Sequence, residues 1–318
     1  MLRTTLLLAI ATASVWAQNS ALDVHLVNAR TAAGFDFTGA LARLCVAPAR
    51  SAEGIRDTAP GPAPARETWY TEPARVFDNL YFVGSKVHNA WALTTSQGII
   101  ILDTLFTWNS EEEIVGGVKK LGLDPAQIKY VIITHAHSDH VGGAKLLQDR
   151  FHTHVVMGAP DWDSIERSVN GYPGGKPRRD IVADDGQKIT LGDTSVTIVT
   201  TPGHTPGTLS MLFTVKDNGR PLVAAYSGGT AFNFATTGPN FDTYIRSQQK
   251  MAAGAAAAGA TVFLSNHTEF DNAIPRIKML AARKPGEPHT FEIGKEAIAR
   301  YFTVSRECAE AAKIRFGL

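Results

Sequence analysis

The sequence is poor in cysteine, in net charge and in long apolar runs. Its 318 residues include only two cysteines and carry a formal charge of +1 at pH 7. The low cysteine count excludes a scaffold built from several disulfides. The near-neutral charge offers no electrostatic basis for binding nucleic acid or acidic membranes. After the first 17 residues, no stretch is long and apolar enough to span a bilayer.

Two common motifs are also missing from the chain. It has no Gly-x-Ser-x-Gly, which would present a nucleophilic serine, and no glycine-rich phosphate loop ending in Gly-Lys-Ser or Gly-Lys-Thr. Neither kind of chemistry is therefore expected. The length and the 44% hydrophobic content suit one globular domain with additions, or two small domains.

The first 17 residues have the pattern of a signal peptide. Arg3 precedes the apolar run Leu6–Ile10, and small residues end a cleavage site at Ala17. A first core helix or a membrane anchor is the alternative, although the apolar run is short for a bilayer. We expect an exported protein, periplasmic or secreted.

Residues 18–71 are predicted to be an N-terminal arm and linker, and residues 72–318 a single domain. Phe35–Val46 has the pattern of a short amphipathic helix, and residues 48–66 are rich in Pro, Ala and Gly. The arm either packs on the domain, which we prefer, or shapes one wall of an active site. In an exported protein, Cys45 and Cys308 could form a disulfide that ties the arm to the last helix.

Residues 72–318 alternate between short apolar strands and helices. A β-meander is predicted over residues 80–102. A helix is predicted from Ser110 to Leu121, with Ser110 as its N-cap and Glu113 as the capping-box partner in a solvated acidic turn. Asp103, at the end of a strand, is either a turn former, which we prefer, or a partner that orients a histidine.

Four metal-ligand side chains follow one predicted strand, Tyr130–Thr134. They are His135, His137, Asp139 and His140. Imidazole and carboxylate groups are zinc ligands. Alternate residues of an extended loop share a side, whereas neighbours diverge, so the spacing predicts two metal positions a few ångströms apart.

Two further histidines repeat the order of strand, turn and histidine. His204 lies in Pro-Gly-His-Thr-Pro-Gly after residues 196–199, and His267 follows residues 261–264. Strand ends of this kind converge on one rim of an α/β fold. The remaining histidines considered are expected to be ordinary surface or core residues: His25, His152, His154 and His289.

The His-Ala-His-Ser-Asp-His motif, the Pro-Gly-His-Thr motif and the late His267 together resemble the metallo-β-lactamase superfamily, from about Glu72 to the C-terminus. The resemblance implies an α/β fold, a four-layer αββα sandwich with the metals at one edge. It also implies two Zn²⁺ ions per chain. The implied ligands are His135, His137 and His204 for the first zinc, and Asp139, His140 and His267 for the second.

One departure narrows the resemblance. Relatives such as glyoxalase II and the acyl-homoserine lactonases carry a metal-bridging Asp after the next strand, and one β-lactamase subclass has Cys at that site. Here residues 222–226 run into Ser227-Gly228-Gly229-Thr230, which offers neither group. This is similar to the third metallo-β-lactamase subclass, in which a serine occupies the vacant position. Whether Ser227 or Gly228 aligns there is left open.

The resemblance thus implies an exported dizinc hydrolase of β-lactams. A metal-bound hydroxide, oriented by Asp139, would attack the ring amide. The alternatives are a hydrolase of another ester, lactone or amide, and a non-catalytic zinc-binding protein. The expected partner is a small-molecule substrate. We expect the protein to be a monomer. It should bind no nucleic acid, and no membrane once the signal peptide has been cleaved.

Several other side chains are candidates for contact with the substrate. Ser227, Thr230, Tyr172 and His88 are the individual candidates. The Gly/Pro-rich loop over residues 170–179 is basic, and its Lys176, Arg178 and Arg179 either steer a substrate carboxylate or are simply solvated.

Overall fold

The computed structural model describes residues 21–46, 61–169 and 172–318. The predicted signal peptide and most of the predicted linker lie outside these ranges. Within them, no helix combines the length and the apolar character needed to cross a membrane.

The N-terminal arm is helical and lies against the C-terminal part of the domain. Its elements are α1 (residues 21–33), α2 (Thr38–Cys45) and the single turn α3 (Arg66–Trp69). The α2 helix is shorter than predicted, because residues 34–37 form a turn in which Gly34 adopts a left-handed φ of 50°.

The first sheet has seven strands in the order β1 to β7. Neighbours from β1 to β4 are antiparallel, and those from β4 to β7 are parallel. The strands are β1 (Ala74–Arg75), β2 (Leu80–Phe82), β3 (Trp91–Thr95), β4 (Gly98–Leu102), β5 (Ile128–Ile132), β6 (His154–Gly158) and β7 (Ile181–Ala183). The helical segments between them are a π-helix (Glu111–Gly116), α4 (Gly117–Lys120), a 3₁₀ turn (Pro125–Gln127), α5 (Ser138–Val141), α6 (Ala144–Phe151) and α7 (Ala159–Arg167).

The second sheet has five strands in the order β12-β11-β10-β9-β8, and only β11 and β12 pair in parallel. Its strands are β8 (Lys188–Leu191), β9 (Thr194–Thr200), β10 (Leu209–Asp217), β11 (Arg220–Ser227) and β12 (Val262–Ser265). The helices of this half are α8 (Gly238–Ala257), α9 (Thr268–Asp271), α10 (Ala273–Ala281) and α11 (Lys295–Phe316).

The two sheets pack face to face through one apolar core. Phe82 and Trp91 from the first sheet join Met211, Tyr226 and Leu264 from the second in that core. Helices α6 and α7 cover the outer face of the first sheet, while α2, α8 and α11 cover the second. This arrangement is an αββα sandwich, so the predicted fold class is confirmed.

A disulfide between Cys45 and Cys308 joins α2 to α11. The arm also buries Phe37, whose ring lies 5.9 Å from that of Phe263 and 5.4 Å from that of Tyr301. Covalent and apolar contacts therefore hold the arm against the second half of the domain.

The prediction of a solvated capping box at Ser110 and Glu113 is wrong. Ser110 already has helical backbone angles, and its side chain makes no cap hydrogen bond. Glu113 is 1% exposed and accepts a hydrogen bond from the backbone N–H of Thr71 at 3.3 Å. Burial raises the pKa of Glu113 to about 8. The arm crosses over this carboxyl group, a contact that the local sequence does not reveal.

Candidate metal centre

The predicted ligands follow the ends of three strands that meet at one edge of the sandwich. His135–His140 follow β5, His204 follows β9, and His267 follows β12. The backbone N–H of Leu209 donates to the carbonyl of Thr134 at 2.8 Å, which joins the loop after β5 to the start of β10. Both sheets thus contribute to a single cluster of imidazoles.

The first group comprises His135, His137 and His204. Nε2 of His204 lies 3.0 Å from Nε2 of His135 and 3.2 Å from Nδ1 of His137. Two donors on a tetrahedral zinc lie roughly 3.3 Å apart, because each bonds at about 2.0–2.1 Å. The spacing and the donor chemistry of this group therefore fit a metal ion.

The second group comprises Asp139, His140 and His267. Nε2 of His140 lies 3.3 Å from Oδ2 of Asp139 and 3.2 Å from Nε2 of His267. The third separation, from His267 Nε2 to Asp139 Oδ2, is 3.7 Å. These distances are again those expected between ligands of one ion. The structure thus brings all six predicted ligands together in two adjacent groups.

Hydrogen bonds fix the orientation of three of the imidazoles. Nδ1 of His135 donates to the carbonyl of Gly228 at 3.1 Å, and Nδ1 of His204 donates to the carbonyl of Ala231 at 2.7 Å. Nδ1 of His140 donates to Oδ2 of Asp103 at 2.9 Å. In each case Nδ1 carries a proton, so Nε2 is the ring nitrogen that faces the cluster.

Asp103 orients a histidine, the second of its two interpretations, and its backbone also adopts a left-handed φ of 60°, as a turn former can. Its buried carboxylate accepts hydrogen bonds from the backbone N–H of Thr134 at 2.7 Å and from the Thr134 hydroxyl at 2.8 Å, besides the bond from His140. The Tyr226 hydroxyl donates to it at 3.4 Å. Asp103 therefore links both sheets to one ligand.

Asp161, which sequence reasoning missed, joins the two ligand loops. Its carboxylate accepts hydrogen bonds from the N–H of Ala136 at 2.8 Å, the Thr205 hydroxyl at 2.7 Å and the N–H of Gly207 at 2.8 Å. Burial raises the pKa of Asp161, and these three bonds oppose that rise. A side chain at position 207 would meet Asp161 Oδ1 at 2.6 Å, which explains the glycine there.

Burial keeps most of the ligand imidazoles neutral. It lowers the pKa of His137 to about 4 and that of His204 to about 3, and it holds the pKa of His135 and of His267 well below 6.5. Neighbouring imidazoles add to this effect for His135, His204 and His267. Neutral imidazole is the form that binds a metal, so these four histidines are already in the protonation state that metal binding requires.

His140 differs because two carboxylates face it. Burial lowers its pKa, but Asp139 and Asp103 outweigh burial and raise the pKa of His140 to about 10. The pKa of Asp139 falls well below its usual range, because His140 outweighs burial. A cation bound between these groups would displace the proton of His140, so binding is expected to release protons.

The loop after β11 carries no side chain toward the cluster at positions 228 and 229. A Cβ on Gly228 would lie 1.8 Å from the Leu209 carbonyl oxygen, and one on Gly229 would lie 2.8 Å from His204 Cβ. Ser227 ends β11 and is buried, whereas Thr230 lines the cleft above the cluster. Either Ser227 or Gly228 takes the place of the bridging Asp found in other members of the superfamily. Only Ser227 has a side chain.

A cleft of about 360 Å³ lies over both groups, and a second cleft of about 690 Å³ adjoins the first group. Arg43 from α2 lines the smaller cleft and pairs with Glu269 at 3.7 Å, while remaining 54% exposed. The arm therefore does more than pack on the domain, which is the interpretation that we prefer from the sequence. It also supplies part of the wall of the smaller cleft. Nothing local in the sequence distinguishes Arg43 from other surface arginines.

The basic loop makes ion pairs and hydrogen bonds with surface groups. Arg178 pairs with Asp149 at 2.7 Å, Arg179 pairs with Asp163 at 2.7 Å, and Lys176 donates to the carbonyl of Glu166 at 2.9 Å. All three pairings are exposed. These contacts agree with the solvated-loop interpretation, in which these groups do not steer a substrate.

Tyr172 is not positioned to cap a substrate. It is buried, and its hydroxyl donates to the carbonyl of Ala136 at 2.6 Å. The ring packs in the apolar cluster beneath the His135 loop, because an aromatic body can fill the core while its hydroxyl finds an acceptor. His88, the other loop candidate, lies in the cleft with its Nε2 3.3 Å from Oδ2 of Asp139.

Comparison with known proteins points to one superfamily. Residues 83–217 match the profile of the metallo-beta-lactamase superfamily. The chain is similar in structure to BJP-1, a subclass B3 metallo-beta-lactamase of Bradyrhizobium japonicum, with 29% identity, a TM-score of 0.61, and coverage of 74% of this chain and 91% of that one. A Cronobacter sakazakii metallo-beta-lactamase with a HARLDQ motif is also similar, at 27% identity and a TM-score of 0.63, over 76% of this chain and 94% of that one.

In sequence, the chain is similar to the N-acyl homoserine lactonase AttM of Agrobacterium fabrum. The two are 33% identical over 171 residues, which is 48% of this chain and 64% of the lactonase. The chain thus spans less than two thirds of that relative. The structural and sequence relatives differ in the substrates that their names give.

Proposed function

We propose that this chain, whose residues 83–217 match the metallo-beta-lactamase superfamily, is a dizinc enzyme of that superfamily that opens the amide of β-lactam rings. The proposed ligands of the first zinc are His135, His137 and His204, and those of the second are Asp139, His140 and His267. The observation that carries the proposal is the pair of donor groups whose separations, 3.0–3.7 Å, are those of ligands around two ions.

Bound zinc ions supply a Lewis acid and a water that loses its proton near neutral pH. The protein side chains would position the metal ligands and the attacking water, and would keep bulk water out of the site. Asp103 and the carbonyls of Gly228 and Ala231 hold the imidazoles in one orientation. The carboxylate of Asp139, beside both proposed sites, would accept a hydrogen bond from the attacking water and orient its lone pair toward the acyl carbon.

Two observations favour a β-lactam as the substrate. The loop over residues 227–230 offers no carboxylate to bridge the metals, unlike the lactonase pattern. In addition, Arg43 stands over the cleft with more than half of its side chain exposed. Since the common β-lactams carry a carboxylate beside the ring nitrogen, a guanidinium that lines the cleft would anchor them. The cleft volume of about 360 Å³ suits a small molecule.

A lactone with an acyl chain is the second candidate. Trp69, Phe106 and Trp108 line an apolar groove of about 360 Å³, which shares Val87 and His88 with the smaller cleft. An apolar groove beside the reacting centre would bind a hydrocarbon chain. The similarity to an acyl-homoserine lactonase also favours this candidate.

Purified protein should be tested for ring opening of a penicillin, a cephalosporin and a carbapenem, beside N-acyl homoserine lactones and a thioester. We expect β-lactam turnover that a chelator abolishes and zinc restores. His135→Ala should abolish it, whereas His154→Ala, which alters an exposed histidine paired with Asp180, should not. Turnover of lactones alone would support the second candidate. Full activity of the His135→Ala variant would contradict the proposed centre.

We also propose export. The disulfide between Cys45 and Cys308 supports it, because structural disulfides persist in oxidising compartments. Expression of the full chain in a bacterium should place a shortened product outside the cytoplasm. A deletion of residues 1–17 should retain the protein inside, and equal distribution of both forms would contradict export.

A further inference from the structure

We propose that His88 is a fourth protein ligand of the second metal, which would give that ion one carboxylate and three imidazoles. This inference rests on the dinuclear centre proposed above and extends its ligand set. His88 comes from the loop between β2 and β3, and no motif in the sequence marks it as a ligand.

The distances around Asp139 place His88 on equal terms with His140. Nε2 of His88 lies 3.3 Å from Oδ2 of Asp139, the same separation as that of Nε2 of His140. The donor atoms of His88, Asp139 and His267 all lie within 4.8 Å of one another. Ligands of a tetrahedral zinc lie roughly 3.3 Å apart, which is the separation of His88 from Asp139.

The backbone holds His88 in this position. Its main chain pairs with that of His267 in an antiparallel bridge, and the N–H of Asn89 donates to the carbonyl of Asn266 at 2.9 Å. The N–H of His88 itself donates to the Ser85 hydroxyl at 3.0 Å. The loop that carries His88 is therefore fastened to the segment that carries a proposed ligand of the same ion.

The His88 ring is fixed by its neighbours. Its centroid lies 5.0 Å from that of His267 and 5.1 Å from that of Phe106. The His88 side chain is 18% exposed, the same fraction as that of His267, a proposed ligand of the same ion. Packing of this kind pre-organises Nε2 toward Asp139 and lowers the entropy lost when an ion binds.

The loop after β11 has no side chain at positions 228 and 229 that could act as a ligand. Positions 228 and 229 are glycines with no room for a side chain. In the relatives that use a bridging carboxylate, that loop completes the centre. Here His88 would complete the coordination of the second ion instead, so the protein would hold this ion more tightly and leave it fewer open positions.

The test compares wild-type protein with His88→Ala and His88→Gln by metal titration against a competing chelator, and by absorption spectra of the cobalt-substituted forms. Neither readout depends on turnover. We expect the wild type to bind two ions, and each variant to bind the second ion at least about tenfold more weakly. The cobalt spectrum of the second site should change in both variants, because one imidazole is lost.

His154→Ala is the matched control, and circular dichroism should report whether each variant is folded. Identical second-site affinity and an unchanged cobalt spectrum in both His88 variants would overturn this proposal alone. Fewer than two ions in the wild type would overturn the dinuclear centre, and the role of His88 with it. A folded His88→Gln variant keeps the test decisive if His88→Ala does not fold.

Discussion

The carboxylate of Asp103 accepts a hydrogen bond from Nδ1 of His140 at 2.9 Å, and both side chains are fully buried. Three other donors, two on Thr134 and one on Tyr226, also reach this carboxylate. The geometry of one proposed ligand therefore depends on a residue that contacts no metal. Such partners normally tune both the orientation and the basicity of the ligating histidine.

Substitution Asp103→Asn should weaken the second metal site. The amide keeps the shape of the carboxylate, but it removes the negative charge and turns one acceptor into a donor that faces the donors of Thr134 or His140. We expect the affinity of the second site for zinc to fall by about 10–100-fold, with the first site little changed. Chelator competition measures both affinities. Unchanged affinity at the second site would show that Asp103 has only a structural role.

Asp161 is expected to be important for stability as well as for the centre. In Asp161→Ala, the buried N–H groups of Ala136 and Gly207 and the Thr205 hydroxyl lose their acceptor. The loss should lower the free energy of unfolding by about 2–6 kcal/mol, since each of the two unsatisfied buried N–H groups costs about 1–3 kcal/mol, while the Thr205 hydroxyl keeps Thr208 as a partner. Denaturant titration of the metal-free protein measures this change. A loss below about 1 kcal/mol would mean that water replaces the carboxylate.

The local part of the site could be predicted from the sequence, and the long-range part could not. His135, His204 and His267 each follow a strand in the chain, so their convergence follows from short patterns. Asp161 and Arg43 act on segments far from them in sequence. Only the packing of the two sheets and of the arm determines those contacts, and no spacing rule encodes them.

The same distinction explains the error at Glu113. Three consecutive acidic residues at a helix start usually face solvent, and two of the three are exposed here. The third is covered by the arm, which pairs Arg66 with Glu112 and places the N–H of Thr71 on Glu113. The position of the arm is set by its own contacts elsewhere, so the burial of Glu113 could not be predicted from the sequence of the helix alone.

Glu113 should make stability fall as pH rises. Burial raises its pKa from 4.5 to about 8, so between these values the folded state keeps a proton that the unfolded state has lost. Its favourable contribution is complete below pH 4.5 and disappears as pH rises toward 8. Glu113→Gln should remove this slope, which amounts to about 2 kcal/mol of lost stability in the wild type between pH 6 and pH 8.

Urea titrations of both proteins at pH 6 and pH 8, each in chelator so that metal binding does not contribute, measure the difference. Glu112→Gln, which alters the exposed neighbour, is the control. Parallel pH dependence in wild type and Glu113→Gln would contradict a buried, protonated carboxyl at this position.

The disulfide between Cys45 and Cys308 should stabilise the fold, because its partners are 263 residues apart. A bond that closes so long a loop restricts the unfolded chain, and its removal typically costs about 2–4 kcal/mol. The double variant Cys45→Ser/Cys308→Ser should show this loss in denaturant titration. Under denaturing conditions, wild-type protein should show no free thiols before reduction and two afterwards. Equal thiol counts before and after reduction would exclude the bond.

Arg43 should discriminate between the two substrate candidates. It reaches the cleft from α2 and is 54% exposed, so its guanidinium is free to exchange Glu269 for a substrate carboxylate. In Arg43→Ala we expect KM for carboxylate-bearing β-lactams to rise by about tenfold with kcat little changed, since an exposed charge contact aids the ground and transition states equally. An uncharged lactone should lose nothing.

Steady-state kinetics with both substrate types measures the effect of Arg43. Arg178→Ala, which removes an exposed arginine of the basic loop, should leave both substrates unaffected. If Arg43→Ala slowed lactone and β-lactam turnover alike, the arm would act by shaping the wall of the cleft. Selective loss for the carboxylate substrates would instead identify α2 as a recognition element, held in place by its disulfide to α11.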